Sequence, residues 1–187
     1  MPAAIIPKEA VLDRLAAAFR QHGYDGASIS RLSEATGLGK ASLYHYFRNG
    51  KQEMAEAVFA HVGGNFQELV IVPLTRTGDP TRRLRAAARG LDEFYGRGDW
   101  SCILDLFGIG SARQIFQPQL RSVVTGFESV LSDLAQEAGV DRITARRRAE
   151  DVVVAIQGAL VVARATGERK AFTRVLKELP NRLLGID

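Results

Sequence analysis

The sequence predicts an all-α protein, and two observations support this fold class. Apolar residues recur at three- and four-residue steps through most of the 187 residues, which is typical of amphipathic helices, and no convincing strand pattern occurs. Between the periodic stretches, Gly and Pro lie at positions that suit helix ends. We therefore expect a series of helices joined by short turns.

The first helix is predicted from Pro7, which suits a first helical turn, to Gly23, which suits the left-handed residue that closes a helix. A second helix is predicted over residues 29–36. Ser28 is its expected N-cap, Ala35 is expected to face inward, and Gly37 follows where a positive φ ends a helix.

The third helix is predicted over residues 40–47, with Leu43 and Phe47 facing the core. The Pro-, Gly- and Thr-rich residues 73–83 are predicted to form a loop, the expected seam between two parts of the chain. The remaining helices are predicted over residues 51–70, 81–95, 102–107, 118–138, 142–166 and 171–184.

Composition excludes several classes of protein. Hydrophobic residues make up 46% and charged residues 25%, which is ordinary for a globular protein. The single cysteine, Cys102, excludes an internal disulfide framework and a multi-cysteine metal site. The first residues lack the apolar run of a signal peptide, and no stretch reaches 18 consecutive apolar residues. We therefore expect a cytoplasmic protein without membrane contact.

The positive charge is concentrated near the N-terminus. The whole chain carries a net charge of +4, and residues 1–52 contain seven Lys or Arg against four Asp or Glu, which leaves +3. This distribution is compatible with a polyanionic partner.

Residues 28–51 have the layout of a helix-turn-helix, whose second helix can enter the major groove of DNA. The outer face of the third helix is predicted to carry donors suited to base edges and phosphates, on Lys40, Ser42, Tyr44, His45 and Tyr46. Lys51 opens the next helix, where an ammonium and a backbone amide can both hold a phosphate. The pattern alone also permits a three-helix packing motif that does not bind DNA.

The segment GYDGASISRLSEATGLGKASLYHYF is similar to the N-terminal domain of TetR/AcrR-family transcriptional regulators, over about residues 8–60. The resemblance implies a DNA-binding domain at residues 1–52, a connecting helix that begins there and reaches about residue 62, and a ligand-binding and dimerisation domain at residues 53–187. It implies that Ser28, Ser30 and Arg31 flank the DNA. It further implies that the recognition helix presents Gly39, Lys40, Ala41, Ser42, Tyr44, His45 and Tyr46.

The turn after the third helix departs from most members of that family. Its Asn49-Gly50-Lys51 is one residue longer than the usual Ser-Lys-Glu turn and resembles the Gly-Gly-Lys turn of the LmrA/YxaF-like subgroup. We therefore assign the expected phosphate contact to Lys51.

The resemblance also implies a homodimer built from the last two long helices. Residues 152–165 are apolar almost all round, which predicts burial on more than one side, although a central core helix would show the same pattern. The predicted interface comprises Ala155, Gly158, Ala159, Val162, Phe172, Val175, Leu176 and Leu179.

A ligand pocket in the central helices is likewise implied by the resemblance. Its candidate residues would suit a small apolar or aromatic ligand, although each one alone is more often plain core; they are Phe94, Trp100, Cys102, Phe107, Phe116, Phe127 and Gln157. No cofactor is expected.

Enzymatic and metal-binding functions find little support in the sequence. The three histidines are scattered, without a matching carboxylate pair, nucleophile motif or common metal-ligand spacing.

From the helix-turn-helix pattern and the family resemblance, we expect the protein to be a repressor that a small molecule releases from double-stranded operator DNA. The alternative is a helical dimer whose first domain docks a protein.

Overall fold

The computed structural model describes residues 6–186, and over these residues it contains helices and turns but no strand. The predicted all-α fold is confirmed. In chain order the helices are α1 Lys8–Gly26, α2 Ile29–Thr36, α3 Lys40–Tyr46, α4 Lys51–Phe66, a π-helical turn Gln67–Ile71, α5 Val72–Thr75, α6 Pro80–Phe94, a 3₁₀ turn Gly96–Gly98, α7 Ile103–Phe107, α8 Ala112–Glu137, α9 Arg142–Thr166 and α10 Lys170–Leu184.

Several predicted boundaries were wrong. Helix α1 continues past the predicted closing residue Gly23 to Gly26, although Gly23 itself has a positive φ of 67°. Helix α8 begins at Ala112, six residues before the predicted start at Pro118, so that proline lies inside the helix. A proline there removes one backbone hydrogen bond but does not end the helix. The predicted loop at residues 73–83 is also shorter, because α5 continues to Thr75 and α6 begins at Pro80.

The chain divides into two compact units, of which the first comprises Ile103–Gln117 and the described residues up to Gly64. Its core is a cluster of aromatic rings. Phe107 lies 6.0 Å from Phe19 and 4.6 Å from Phe116, and Phe116 lies 5.6 Å from Phe59, measured between ring centroids. Residue 52, where we predicted the first domain to end, lies within this unit.

The second unit comprises Asn65–Cys102 and the described residues from Pro118 onward. Helix α10 packs against both α9 and α6. Phe66 lies 5.2 Å from Phe94 and 5.1 Å from Phe127 between ring centroids, with both pairs edge to face. Edge-to-face pairs of this kind stabilise a core beyond the area they bury.

A close backbone contact joins α6 to the π-helical turn. Gly90 is buried in α6, and a Cβ atom added there would overlap the carbonyl oxygen of Leu69. Only glycine permits this approach between the two helical segments.

The continuous helical stretch Lys51–Thr75 is long and apolar enough to cross a membrane by length and composition alone, a test that core helices of soluble proteins also pass. Within it, Met54, Ala55 and Val58 are buried in the chain's own core.

Candidate nucleic-acid interface

Helix α2 begins and ends at the residues that the sequence predicted. The Ser28 side chain accepts a hydrogen bond from the backbone N–H of Arg31 at 3.3 Å, which caps the helix. Gly37 follows the helix with φ of 71°, in the left-handed region that glycine tolerates best. The guanidinium of Arg31 donates to the Gly26 carbonyl at 2.7 Å, so the start of α2 is held to the end of α1.

Side chains fix the turn between α2 and α3. The Thr36 hydroxyl donates to the Leu32 carbonyl at 2.8 Å, and the Ser33 hydroxyl donates to the Leu38 carbonyl at 2.6 Å. The Arg14 guanidinium donates to the Thr36 carbonyl at 2.7 Å, which ties the turn to α1. These bonds hold the two helices of the helix-turn-helix at one angle.

The predicted inward position of Ala35 was wrong, because Ala35 is exposed and the next residue, Thr36, is fully buried in its place. Thr36 can occupy a buried site because its hydroxyl bonds to backbone carbonyls one turn earlier.

Helix α3 presents a row of exposed polar and aromatic side chains. Leu43 and Phe47 are buried as predicted, and they anchor the helix to the first unit. On the other faces Tyr44 is 47% exposed and Tyr46 is 36% exposed, with His45 exposed between them. Their hydroxyl and imidazole groups can therefore meet a partner without rearrangement of the helix.

The turn that leaves α3 is closed by local hydrogen bonds. The Gly50 N–H donates to the Phe47 carbonyl at 3.0 Å, and Gly50 has φ of 68°. The Glu53 carboxylate accepts from the Asn49 N–H at 2.7 Å, a capping contact at the start of α4. The ring of Tyr44 lies in van der Waals contact with the position that a Cβ atom would take at Gly50.

Lys51 is engaged within the chain. Its ammonium donates to the Tyr24 carbonyl at 3.0 Å and lies 4.5 Å from the centroid of the Tyr24 ring. An ammonium has three N–H donors, so the predicted phosphate contact would have to use the remaining ones.

The predicted DNA-contacting residues lie together on the first unit. Ten of them are exposed and Lys51 is half-buried; the exposed ones are Ser28, Ser30, Arg31, Gly39, Lys40, Ala41, Ser42, Tyr44, His45 and Tyr46. The sequence interpretation did not assign a role to Arg48, which is exposed in the turn directly after α3. Its positive charge directly after α3 was the signal in the sequence that could have identified it.

The predicted pocket residues are divided between the two units. Phe107 and Phe116 belong to the first unit, whereas Phe94, Cys102, Phe127 and Gln157 belong to the second. Trp100 is 47% exposed and its ring lies against Gly96.

A buried polar group that the sequence interpretation missed is Tyr95. Its hydroxyl lies 3.4 Å from the Cys102 sulfur and accepts from the Gln157 side chain at 3.4 Å. Its position at the end of α6, beside the predicted Phe94, was the only signal in the sequence.

The predicted dimer residues fall into two groups. Five are buried within the chain itself, namely Ala159, Phe172, Val175, Leu176 and Leu179. Gly158 and Val162 are exposed and Ala155 is half-buried. An exposed stripe of small and β-branched residues runs along α9, and it consists of Val154, Gly158, Val161, Val162 and Ala165.

Among the described residues, no group of three or more His, Cys, Asp or Glu side chains is arranged to hold a metal ion.

The first unit matches a known family. The sequence model described as "Bacterial regulatory proteins, tetR family" matches residues 11–58, which include α2, α3 and their connecting turn. The chain is 19% identical over 177 residues to the uncharacterised HTH-type transcriptional regulator YxaF of Bacillus subtilis, covering 92% of this chain and 93% of YxaF. It is 38% identical over 96 residues to the HTH-type transcriptional repressor AcnR of Corynebacterium glutamicum, covering 51% of this chain and 46% of AcnR.

Solved structures share the fold of the whole chain. A TetR transcriptional regulator from Legionella pneumophila superposes with a TM-score of 0.79 at 16% identity, covering 97% of this chain and 99% of that one. The TetR-family regulator CifR, solved with a 26-base-pair operator, superposes with a TM-score of 0.72 at 20% identity, covering 98% of each chain. Residues 11–58 thus match the tetR family of bacterial regulatory proteins, and the whole chain shares its fold with solved TetR regulators.

Proposed function

We propose that this protein is a transcriptional repressor that binds operator DNA as a homodimer and is released by a small-molecule ligand. The observation that carries the proposal is the exposed polar row on α3, whose connection to α2 is fixed by side-chain hydrogen bonds. A rigid helix with exposed donors is what readout in a major groove requires.

The contacts would divide between phosphates and bases. Arg31 and Lys40 lie exposed at the starts of α2 and α3, where helix N-termini and positive charge both favour phosphate. Tyr44, His45 and Tyr46 lie farther along α3 and would meet base edges and sugars. Phosphate contacts would supply most of the affinity, and the α3 side chains would supply the sequence preference.

A two-fold partner would double this interface. The exposed stripe on α9, from Val154 to Ala165, leaves apolar surface uncovered in the single chain. A second copy that packs the same stripe against it forms an isologous interface, the usual form of a homodimer. Two copies of α3 could then occupy successive major grooves of a near-palindromic operator, in the cytoplasm where the DNA lies.

Ligand release would depend on the second unit. Phe66, Phe94 and Phe127 and the buried Tyr95 hydroxyl supply apolar surface and one polar group in its core. Such a combination suits a small apolar or aromatic molecule. The ligand would lower DNA affinity only if it bound the DNA-free conformation more tightly than the DNA-bound one.

The test begins with a duplex selected from a random-sequence library by the unaltered protein. Lys40→Ala should weaken binding to that duplex about tenfold and reduce the slope of log affinity against log salt by about one, because it removes one phosphate contact. Arg85→Ala is the matched control, since it also removes one exposed positive charge but lies on α6 in the second unit. Fluorescence anisotropy over a salt series gives both quantities.

The control variant should bind the duplex as the unaltered protein does. Equal losses in the two variants would show that net charge, not α3, determines the affinity. If the unaltered protein selected no duplex, or bound one without salt dependence, DNA binding as proposed would be wrong.

A further inference from the structure

Residues 23–27 comprise the end of α1, from the non-helical Gly23 to Gly26, and Ala27, which follows the helix. Side chains from three other parts of the chain contact them. We name these five residues the junction turn. The Lys51 ammonium, at the start of α4, donates to the Tyr24 carbonyl at 3.0 Å. The Arg31 guanidinium, in α2, donates to the Gly26 carbonyl at 2.7 Å. Two side chains predicted to contact DNA are thus positioned by carbonyls of the junction turn.

The residue between those two carbonyls, Asp25, is bound by a distant part of the chain. Its carboxylate accepts the Ser111 N–H at 3.1 Å and also the Ser111 hydroxyl. Ser111 is 86 positions from Asp25 in the sequence, yet the two residues belong to the same compact unit. A carboxylate that accepts two hydrogen bonds makes a stronger contact than a neutral pair would.

The neighbouring Gly110 fits this contact closely. Its φ is 60°, and a Cβ atom added there would overlap a carboxylate oxygen of Asp25. The Asp25 carboxylate therefore lies against both residues of the turn that precedes α8. We name the contact of Asp25 with Gly110 and Ser111 the latch.

We propose that Asp25 and Ser111 are positioning residues for DNA binding, because the latch holds the junction turn where it anchors Lys51 and Arg31. Ser111 lies outside residues 11–58, so the helix-turn-helix of this protein depends on a residue beyond the matched family domain. This inference rests on the proposed DNA-binding function.

The latch acts through geometry and not through contact with DNA. If Asp25 is released, the junction turn is no longer held from the α8 side, and the carbonyls that anchor Lys51 and Arg31 are free to shift. Small displacements of positioned groups weaken charge-assisted contacts steeply. Release of Asp25 should therefore weaken the phosphate contacts of Lys51 and Arg31 before other DNA contacts.

Two variants test the latch, and Gly110→Ala is the more direct one. Its new methyl group would displace the Asp25 carboxylate from its contact with Gly110 and Ser111. Gly167→Ala is the matched control, since Gly167 has a similar φ of 70° but nothing lies within 4 Å of an added Cβ atom. Both variants place alanine at a left-handed φ, and only Gly110→Ala disturbs the latch. Binding to the library-selected duplex should weaken about tenfold in Gly110→Ala and remain near that of the unaltered protein in Gly167→Ala.

Ser111→Ala removes the hydroxyl contact without backbone strain and decides the question if Gly110→Ala does not fold. It should weaken duplex binding several-fold and lower the salt slope by about one, because at least one phosphate contact is misplaced. Ser111→Thr restores a hydroxyl and should recover both values. Thermal unfolding and the solution mass of each variant confirm that it is folded.

Folded Ser111→Ala that bound the duplex with unchanged affinity and unchanged salt slope would overturn the latch proposal while leaving DNA binding intact. A loss of affinity that Ser111→Thr did not recover would also overturn it. If the unaltered protein selected no duplex, the proposed DNA-binding function would be wrong. The latch proposal, which depends on that function, would then be wrong as well.

Discussion

At the scale of single residues, the exposed carboxylate of Asp25 binds one defined partner, Ser111. The hydrogen bonds from the Ser111 side chain and backbone hold the pKa of Asp25 below its ordinary value of 3.8, and the positive charge of Lys51 lowers that pKa further. The ionised form of Asp25 is therefore the one that the folded chain favours.

This lowered pKa predicts a pH dependence of stability. Because the pKa of Asp25 is lower in the folded state, its contribution to stability is present above pH 3.8 and is lost as the pH falls below it through the folded-state pKa. In Ser111→Ala the pKa of Asp25 should rise toward its ordinary value, and the acid-side loss of stability should become shallower. An NMR pH titration of the Asp25 carboxyl carbon and chemical denaturation at several pH values measure the two effects.

Ser122→Ala, at an exposed serine on α8, provides the control for that titration. It should leave the pKa of Asp25 where it is in the unaltered protein. An Asp25 pKa that did not respond to Ser111→Ala would show that the Ser111 hydroxyl does not bind the Asp25 carboxylate in solution.

Local contacts could be predicted from the sequence, and distant ones could not. Ser28 and Gly37 end α2 as predicted because capping depends on residues a few positions away. The partner of Asp25 could not be found in this way, because 86 residues separate the two and either side chain alone is ordinary. Ala35 was misplaced because a buried threonine is unusual unless its hydroxyl bonds to the helix backbone, as that of Thr36 does.

At the scale of helices, α9 combines two faces. Ile156, Leu160 and Ala163 are buried in the second unit, while the stripe that includes Val154 and Val161 is exposed. The sequence showed that α9 is apolar on most sides, but it could not show which side the chain itself covers. For the same reason the α10 residues expected at the interface, such as Phe172 and Leu179, are buried within the chain.

The exposed stripe predicts the effect of a charge on assembly. Val161→Glu should convert the proposed dimer to a monomer, because a carboxylate buried between two apolar stripes would lose its hydration without a partner. Size-exclusion chromatography with light scattering measures the mass. Val123→Glu, at an exposed valine on α8, is the control and should leave the mass unchanged.

A Val161→Glu protein with the mass of the unaltered protein would place the interface elsewhere. A monomeric variant should also bind the selected duplex more weakly, since only one copy of α3 would then engage it.

At the scale of the whole molecule, the two compact units are not two consecutive segments of the chain, because Ile103–Gln117 belongs to the first unit. Helix α7 and the start of α8 complete the aromatic core of the first unit, although they lie more than 40 positions beyond the end of the family match at residue 58. The family resemblance located the helix-turn-helix correctly. It gave no sign that α7 and the start of α8 belong to the first unit. The seven predicted pocket residues were therefore divided between units, because aromatic composition does not reveal which core a ring belongs to.

The proposed ligand response can be tested at this scale. A library of small aromatic compounds would be screened for those that raise the unfolding temperature, and these would be titrated into the protein bound to its selected duplex. We expect some of them to release the DNA, and linkage requires the duplex to weaken their binding by the same factor. Tyr95→Phe removes the hydroxyl near Cys102 and Gln157 and should change the affinity for such compounds about tenfold.

Ile143→Ala, at a residue that is 80% exposed on α9, is the control for compound binding and should not alter it. Compounds that bound the protein and left its DNA affinity unchanged in every case would contradict ligand-controlled repression.

The glycine at position 90 has a consequence for how the second unit can move. The Leu69 carbonyl fills the space where a side chain would be, and one helical turn away on either side stand Ala86 and Phe94. Sliding α6 along its axis would drive one of these side chains into that carbonyl, whereas tilting α6 about Gly90 would keep the contact. We therefore expect the contact at Gly90 to resist sliding of α6 along its axis more than tilting of α6 about that residue.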